Sequence, residues 1–453
     1  MLLIIALSLA AAAGAYFGTQ QLRREHGDSV VSGVAVPEPI VSAGATPSPA
    51  VTPAAAPVPR AAAVAADLAA TLRQAALGTR LRARIADAAT GAVLYDDHGG
   101  TGAAPASTAK LLTAAAILTV HPADYRFTTS VAVSGSTVVL VGGGDPTLSG
   151  AAAGHSGAYP QAARLSDLAT KLRAAHVSVS RIVVDDALFA GPAISPDWEA
   201  EDVPSSYGAG ITAVMTDGGR AAPGDYLRSS TPDLAAGAEL AALLGKPGLP
   251  VTRGAAPATA TTTASVRSAP LSVLIEQMLH DSDNVIAEVL ARQVAVATHV
   301  TSSFLGAAKA IATVLGTVGV QVGSGMRDGS GLAVADRVSP AALVQLLRVA
   351  AGYLKTTTPT SAGALIAALP VAAWSGTLQD RYRSGPAAAV AGEVRAKTGS
   401  LTGVTSLAGY VHDRSGRLLV FSLDADRTPA TGTAAAESAL DRVVAALGSC
   451  GCS

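Results

Sequence analysis

The chain has 453 residues, more than one compact domain usually holds, and 49% are apolar against 14% charged. That supplies sizeable cores and excludes disorder over most of the length. A formal net charge of −1 leaves no cationic excess to neutralise a phosphate backbone, which excludes nucleic acid as a partner. The two cysteines, Cys450 and Cys452, are too few for a disulfide framework or a zinc cluster. They also stand too close together for an unstrained bridge and read as part of a frayed tail. The eight histidines are scattered without ligand spacing, so neither a metal nor another cofactor is expected.

Met1 to Phe17 is almost wholly apolar. It is long enough for the hydrophobic part of an export signal and slightly short for a membrane span. Residues 1–26 are therefore expected to be a signal peptide or membrane anchor, the only membrane contact expected. Residues 27–63, rich in Pro, Ala, Ser and Val, read as an extended tether.

The pattern then predicts a helix over Asp67–Leu77 and strands at Leu81–Ala86 and Ala92–Tyr95. A helix opened by Pro105 and Ser107 runs through Leu118. A hairpin follows at Tyr125–Val133 and Thr137–Val141, then a helix at Leu165–Ala175 and a strand at Arg181–Val184. Residues 190–265 read as loop-rich with one helix near Leu234–Leu244. Helices at Leu271–Leu279 and Val285–Val296 flank Asp281–Asn284, and another spans Pro340–Ala350. Strands at Glu393–Lys397, Ser406–Val411 and Leu418–Leu423 precede a final helix at Ala434–Leu447. This order predicts an α+β domain whose sheet joins the two ends of the folded chain.

Three short motifs carry chemistry: Ser107-Thr-Ala-Lys110, Ser282-Asp-Asn284 and Lys397-Thr-Gly399. Serine is a weak nucleophile and needs a base. A spacing of three on a helix puts the Lys110 amine beside the Ser107 hydroxyl, where the helix N-terminus stabilises developing negative charge. Ser282 can relay a proton from Lys110 to a leaving nitrogen. Asn284 offers a donor and an acceptor for a peptide amide, although Asp283 or Asn284 is equally suited to capping the next helix. Lys397 brings positive charge for a carboxylate, Thr398 a hydrogen bond to it, and Gly399 room for substrate backbone. The chain holds six lysines against 26 arginines, and Asn284 is its one asparagine. An arginine cannot deprotonate to act as a base. Rare residue types falling inside all three motifs make chance a poor explanation.

With these motifs the sequence resembles the penicilloyl-serine transferases. The 175 residues from Ser107 to Ser282 narrow the resemblance to the D-alanyl-D-alanine carboxypeptidase/endopeptidase family (class C low-molecular-mass penicillin-binding proteins). Gly142-Gly-Gly-Asp-Pro-Thr147 and Asp328-Gly-Ser-Gly-Leu332 resemble segments of the same family. The resemblance implies an α+β, β-lactamase/transpeptidase-like domain split into residues 64–130 and 265–453, with residues 131–264 inserted. It implies Ser107, Lys110 and Ser282 as catalytic, and Asn284, Lys397, Thr398, Gly399 and Ser400 as substrate-binding. The backbone N–H groups of Ser107 and Ser400 would form an oxyanion hole. Peptidoglycan stem peptides are the implied substrates, β-lactams the implied covalent inhibitors, and the location is extracytoplasmic. Ala333 and Val334 stand where members continue with Ser-Arg, which leaves the stem side-chain preference open.

Asp145 reads as a turn residue, and Asp328 and Ser330 as the floor of a cleft. Trp198, Glu201, Asp202 and Tyr207 are candidates for the border of the substrate stem. Asp185 and Asp186 point to opposite faces of a strand and are no catalytic pair. The competing readings are a β-lactamase-like hydrolase and a catalytically inactive wall-binding homologue. A classical triad is excluded because no Gly-x-Ser-x-Gly elbow is present.

Overall fold

The computed structural model describes residues 56–352, 362–430 and 432–451. The expected signal or anchor and most of the tether lie outside these residues. No helix among the described residues is long and apolar enough to cross a membrane.

The strands are β1 (Leu81–Asp87), β2 (Val93–Asp97), β3 (Thr128–Ser134), β4 (Thr137–Val141), β5 (Arg181–Asp185), β6 (Val251–Arg253), β7 (Thr261–Arg267), β8 (Arg395–Leu401), β9 (Val404–His412) and β10 (Leu418–Ala425). The helices are α1 (Ala61–Leu68), α2 (Lys110–Val120), α3 (Leu165–Ala174), α4 (Pro232–Leu243), α5 (Leu271–His280), α6 (Asn284–Ala297), α7 (Phe304–Thr317), α8 (Pro340–Ala350), α9 (Ala362–Ala367) and α10 (Thr433–Ser449).

The first sheet has the order β2-β1-β10-β9-β8, with every pairing antiparallel. Alternation decides its two faces. Leu419, Phe421, Leu423 and Ala425 of β10 pack with Val64 and Leu68 of α1 and with Leu440, Val443 and Leu447 of α10. Val420 of β10 and Ala408 and Tyr410 of β9 face the other core, built by α2 and α5 to α8. Helices thus cover both faces, and β9 can be buried along nearly its whole length.

The second sheet, in the order β6-β5-β4-β3-β7, takes all its strands from residues 128–267. β3 pairs antiparallel with β4 and β7, while β4–β5 and β5–β6 are parallel. Leu165, Leu168 and Leu172 of α3 and Leu240 of α4 cover one face.

Three expectations shift. The helix read at Asp67–Leu77 lies earlier, at α1, and breaks into two short 3₁₀ turns before Gly78 at φ 71°. The Thr71 hydroxyl donates to the Leu68 carbonyl at 3.0 Å, satisfying a terminal acceptor that a longer helix would have used. β6 and most of β7 emerge within the stretch 190–265 read as loop-rich. Cys450 is disulfide-bonded rather than loose; Cys452 lies outside the described residues.

Candidate active site

Ser107 sits in a 3₁₀ turn, Ala106–Ala109, that runs directly into α2. Ala106 enters the turn at φ 46°, a left-handed conformation. Ser107 stays half-buried while Lys110, one turn on, is wholly buried. The Lys110 Nζ donates to Ser107 Oγ at 2.9 Å, to Asn284 Oδ1 at 2.6 Å and to the Ser330 carbonyl at 2.9 Å. Burial pushes the amine down to about 8, against the opposing pull of Asp328 and Glu288. In the neutral form, two N–H groups still serve Asn284 and Ser330, and the lone pair is left for the Ser107 hydroxyl.

The Ser330 carbonyl is aimed at Lys110 by a residue that motif reasoning passed over. Glu288 lies one helical turn after Asn284 on α6, fully buried. Its carboxylate accepts from Ser330 N at 2.7 Å and Gly329 N at 3.1 Å. Burial and the neighbouring Asp328 push it up to about 8. Asp328 accepts from Gly331 N at 2.7 Å, Ala333 N at 2.8 Å and Trp198 Nε1 at 2.8 Å. Gly331 must be glycine, because a Cβ there would stand 1.9 Å from the Ala106 carbonyl oxygen. Asp328 and Ser330 therefore build the wall behind the lysine.

In the second motif, Asp283 is the N-cap of α6 and accepts from Val285 N at 2.9 Å. The same carboxylate accepts from Arg228 Nη2 at 2.7 Å and Tyr159 Oη at 2.8 Å. Burial alone would raise its pKa, but the Arg228 charge overrides this and holds it well below the usual range. The capping reading therefore holds for Asp283, and its neighbours are turned toward the site. Asn284 donates from Nδ2 to the Tyr207 carbonyl at 3.0 Å. The Ser282 hydroxyl, at φ 55°, accepts from Lys397 Nζ at 3.0 Å. The relay expected from Lys110 to Ser282 is not a direct hydrogen bond: Lys110 donates to Ser107, Asn284 and Ser330, while the Ser282 hydroxyl pairs with Lys397.

The third motif lies inside a strand rather than at its end, since β8 continues to Leu401. Lys397 is wholly buried and also donates to the Thr398 carbonyl at 2.8 Å. Burial, then the Lys110 charge, push it well below the ordinary lysine value. Thr398 Oγ1 donates to Thr377 Oγ1 at 2.9 Å, a partner that no motif signalled. At Gly399 a Cβ would lie 2.2 Å from Ser406 Oγ and 3.0 Å from Ser107 N, so this glycine lets β8 press against the Ser107 turn. Ser400 is exposed, with its hydroxyl on Glu437 Oε1 at 2.8 Å.

Of the residues flagged outside the motifs, Asp145 accepts from Thr147 N at 2.8 Å and is a buried turn residue. Asp185 and Asp186 each accept backbone N–H groups, from Ala256 and from Ala213. Trp198 is tied to Asp328, while Tyr207 is 65% exposed beside Asn284.

A model of the D-Ala-D-Ala carboxypeptidase 3 (S13) family matches residues 64–225 and 222–447. Carboxypeptidase DacB of Mycolicibacterium smegmatis is 42% identical over 402 residues, 86% of this chain and 84% of the relative. A carboxypeptidase of Mycobacterium tuberculosis is 40% identical over 86% of this chain and 85% of its own length. Among solved structures, penicillin binding protein 4 of Haemophilus influenzae superposes with a TM-score of 0.70 at 21% identity, over 84% of this chain and 98% of that one. With three motifs spread over residues 107–399 gathered on one turn, one helix start and one strand, this protein belongs to the D-Ala-D-Ala carboxypeptidase family.

Proposed function

We propose that the chain cleaves the D-Ala–D-Ala bond of peptidoglycan stem peptides through an acyl-enzyme on Ser107. The observation that carries this is the fully buried Lys110 amine, 2.9 Å from Ser107 Oγ and pushed down to about 8. It is a base matched to neutral pH.

Lys110 takes the Ser107 proton as Oγ bonds to the carbonyl carbon. The backbone N–H groups of Ser107 and Ser400 hold the oxyanion. The C–N bond then breaks, and the departing amine takes the proton through Lys110 and the Ser282–Lys397 pair. Water hydrolyses the ester and returns the proton to Ser107. Asn284 aligns the acyl-side amide, and Lys397 and Thr398 face the terminal carboxylate. Gly399 supports this indirectly, by seating β8 on the turn. A β-lactam would acylate the same serine.

The wall substrate places the enzyme outside the cytoplasm, and residues 1–26 are read as export signal or anchor, followed by a tether. Residues 131–264 are read as a domain inserted between 64–130 and 265–453. The second sheet, confined to residues 128–267, supports this division.

The test is to incubate the purified full chain with a fluorescent penicillin and run a denaturing gel beside Ser107→Ala. A persistent covalent band in wild type only is expected. No band from folded wild type would overturn the reading in favour of an inactive homologue. A band clearing within seconds would point to a β-lactamase.

A further inference from the structure

The segment Asp328–Leu332 lies so close to α6 that a Cβ at Gly329 would stand 2.3 Å from the Ala291 Cβ. Two consecutive peptide units of this segment each bridge a buried acid to α2. In the first, the Ser330 N–H donates to Glu288 Oε1 at 2.7 Å and the Gly329 carbonyl accepts from Thr113 Oγ1 at 2.6 Å. In the second, the Gly331 N–H donates to Asp328 Oδ1 at 2.7 Å and the Ser330 carbonyl accepts from Lys110 Nζ at 2.9 Å. A peptide unit is planar and conjugated, so an acid drawing on its N–H pushes electron density onto its carbonyl oxygen.

The two acids differ in what they reach. Glu288 reaches Thr113, a neutral hydroxyl one helical turn past Lys110. Asp328 reaches Lys110 itself. It is wholly buried and accepts from the N–H groups of Ser330 at 3.2 Å, Gly331 at 2.7 Å and Ala333 at 2.8 Å, and from Trp198 Nε1 at 2.8 Å. Asn or Ser closes a turn of this kind without burying a charge, so turn-making alone does not call for aspartate here.

We infer that Asp328 is a positioning residue for the proposed base: through the Ser330–Gly331 peptide it fixes the Lys110 amine beside Ser107 and opposes the loss of its proton. The inference rests on the reading of Lys110 as base. Burial pulls the amine down, and the strongest charge opposing that pull is Asp328, ahead of Glu288, Asp283 and Asp336. Lys397 faces the amine from β8, and Asp202 faces Asp328 from the inserted segment. Glu288, pushed up to about 8 by burial and by Asp328, holds a proton below that pH. Asp336 is held well above its ordinary value chiefly by burial, which persists whatever stands at 328.

The test is stopped-flow acylation of the full chain by a chromogenic β-lactam. The quantity read is the rate at pH 6 divided by the plateau rate at high pH, so that any inactive fraction cancels. Asp328→Asn removes the charge, and the ratio is expected to rise about ten-fold, one pKa unit of the base. Trp198→Phe removes one donor and leaves the carboxylate charge less shared, so the ratio is expected to fall about two-fold. Loosened packing does not move one ratio in opposite directions. Glu288→Gln disturbs the same wall and should change the ratio by less than about two-fold. An unchanged ratio in either folded Asp328→Asn or Trp198→Phe would overturn the inference, and so would an equal rise in Glu288→Gln. Trp198→Phe decides alone should Asp328→Asn fail to fold. A wild type with a flat pH profile, or one that takes up no penicillin, would instead overturn the reading of Lys110 as base.

Discussion

Asn284 and Lys110 meet at 2.6 Å, side-chain carbonyl to amine, and this contact joins the first motif to the second across 174 positions of sequence. On the proposed mechanism it also sets the state of the base. An acceptor at that distance favours the charged amine, and only complete burial brings the pKa down to about 8.

The rate of acylation should therefore follow the neutral fraction of Lys110. It is expected to climb roughly ten-fold per pH unit below about 8 and to level off above. Stopped-flow acylation by a chromogenic β-lactam between pH 5 and 10 measures this. Lys110→Arg, which keeps the charge but cannot give up its proton, should lose about 10²- to 10⁴-fold. A flat profile would remove Lys110 from the role of base.

Asp283 is predicted to act on stability more than on chemistry. Asp283→Ala strands the buried Arg228 and uncaps α6. The expected cost is about 3–5 kcal/mol, read as a lower urea midpoint. The sign with pH follows from its depressed folded pKa. The contribution is fully present above the ordinary aspartate range, near 4, and is lost as pH falls below it toward the folded value. The variant should thus lose the wild type's steep destabilisation in acid.

Gly399→Ala tests the seating of β8 on the nucleophile turn. The added Cβ would meet Ser406 Oγ and the Pro105 carbonyl at 2.2 and 2.8 Å. Strand and turn must then part, moving Ser400 away from Ser107. Acylation should fall at least about ten-fold, as misplacement in a catalytic site does. Wild-type acylation rates in this variant would show that the contact does not position the site.

Much of this site was readable because its chemistry uses residue types the chain otherwise avoids. Lys110, Lys397 and Asn284 stand out in a sequence of arginines and alanines. Glu288, the Ser330 carbonyl and Thr377 did not. A backbone acceptor has no letter of its own, and Thr377 reaches Thr398 only through the fold. Glu288 carried a usable signal, lying four residues after Asn284 on one helical face. In the fold, β1, β9 and β10 showed as alternating or continuous apolar runs. β7 did not, because as an edge strand it buries little besides Ala264 and keeps its threonines in water. The helix misplaced at Asp67 had a similar cause: only Val64 and Leu68 anchor α1, so its period was too brief to locate.

The pairing of β1 with β10 has a consequence for the life history of the chain. Leu81 lies opposite Ala425, so the sheet closes only when a strand made early finds one made more than 300 residues later. Ser107 and Lys110 are synthesised long before Lys397. On the proposed mechanism a nascent chain carries a nucleophile with no strand seated against it and no second lysine to complete the site. The enzyme is therefore born silent, and its activity switches on with the arrival of its own last strands.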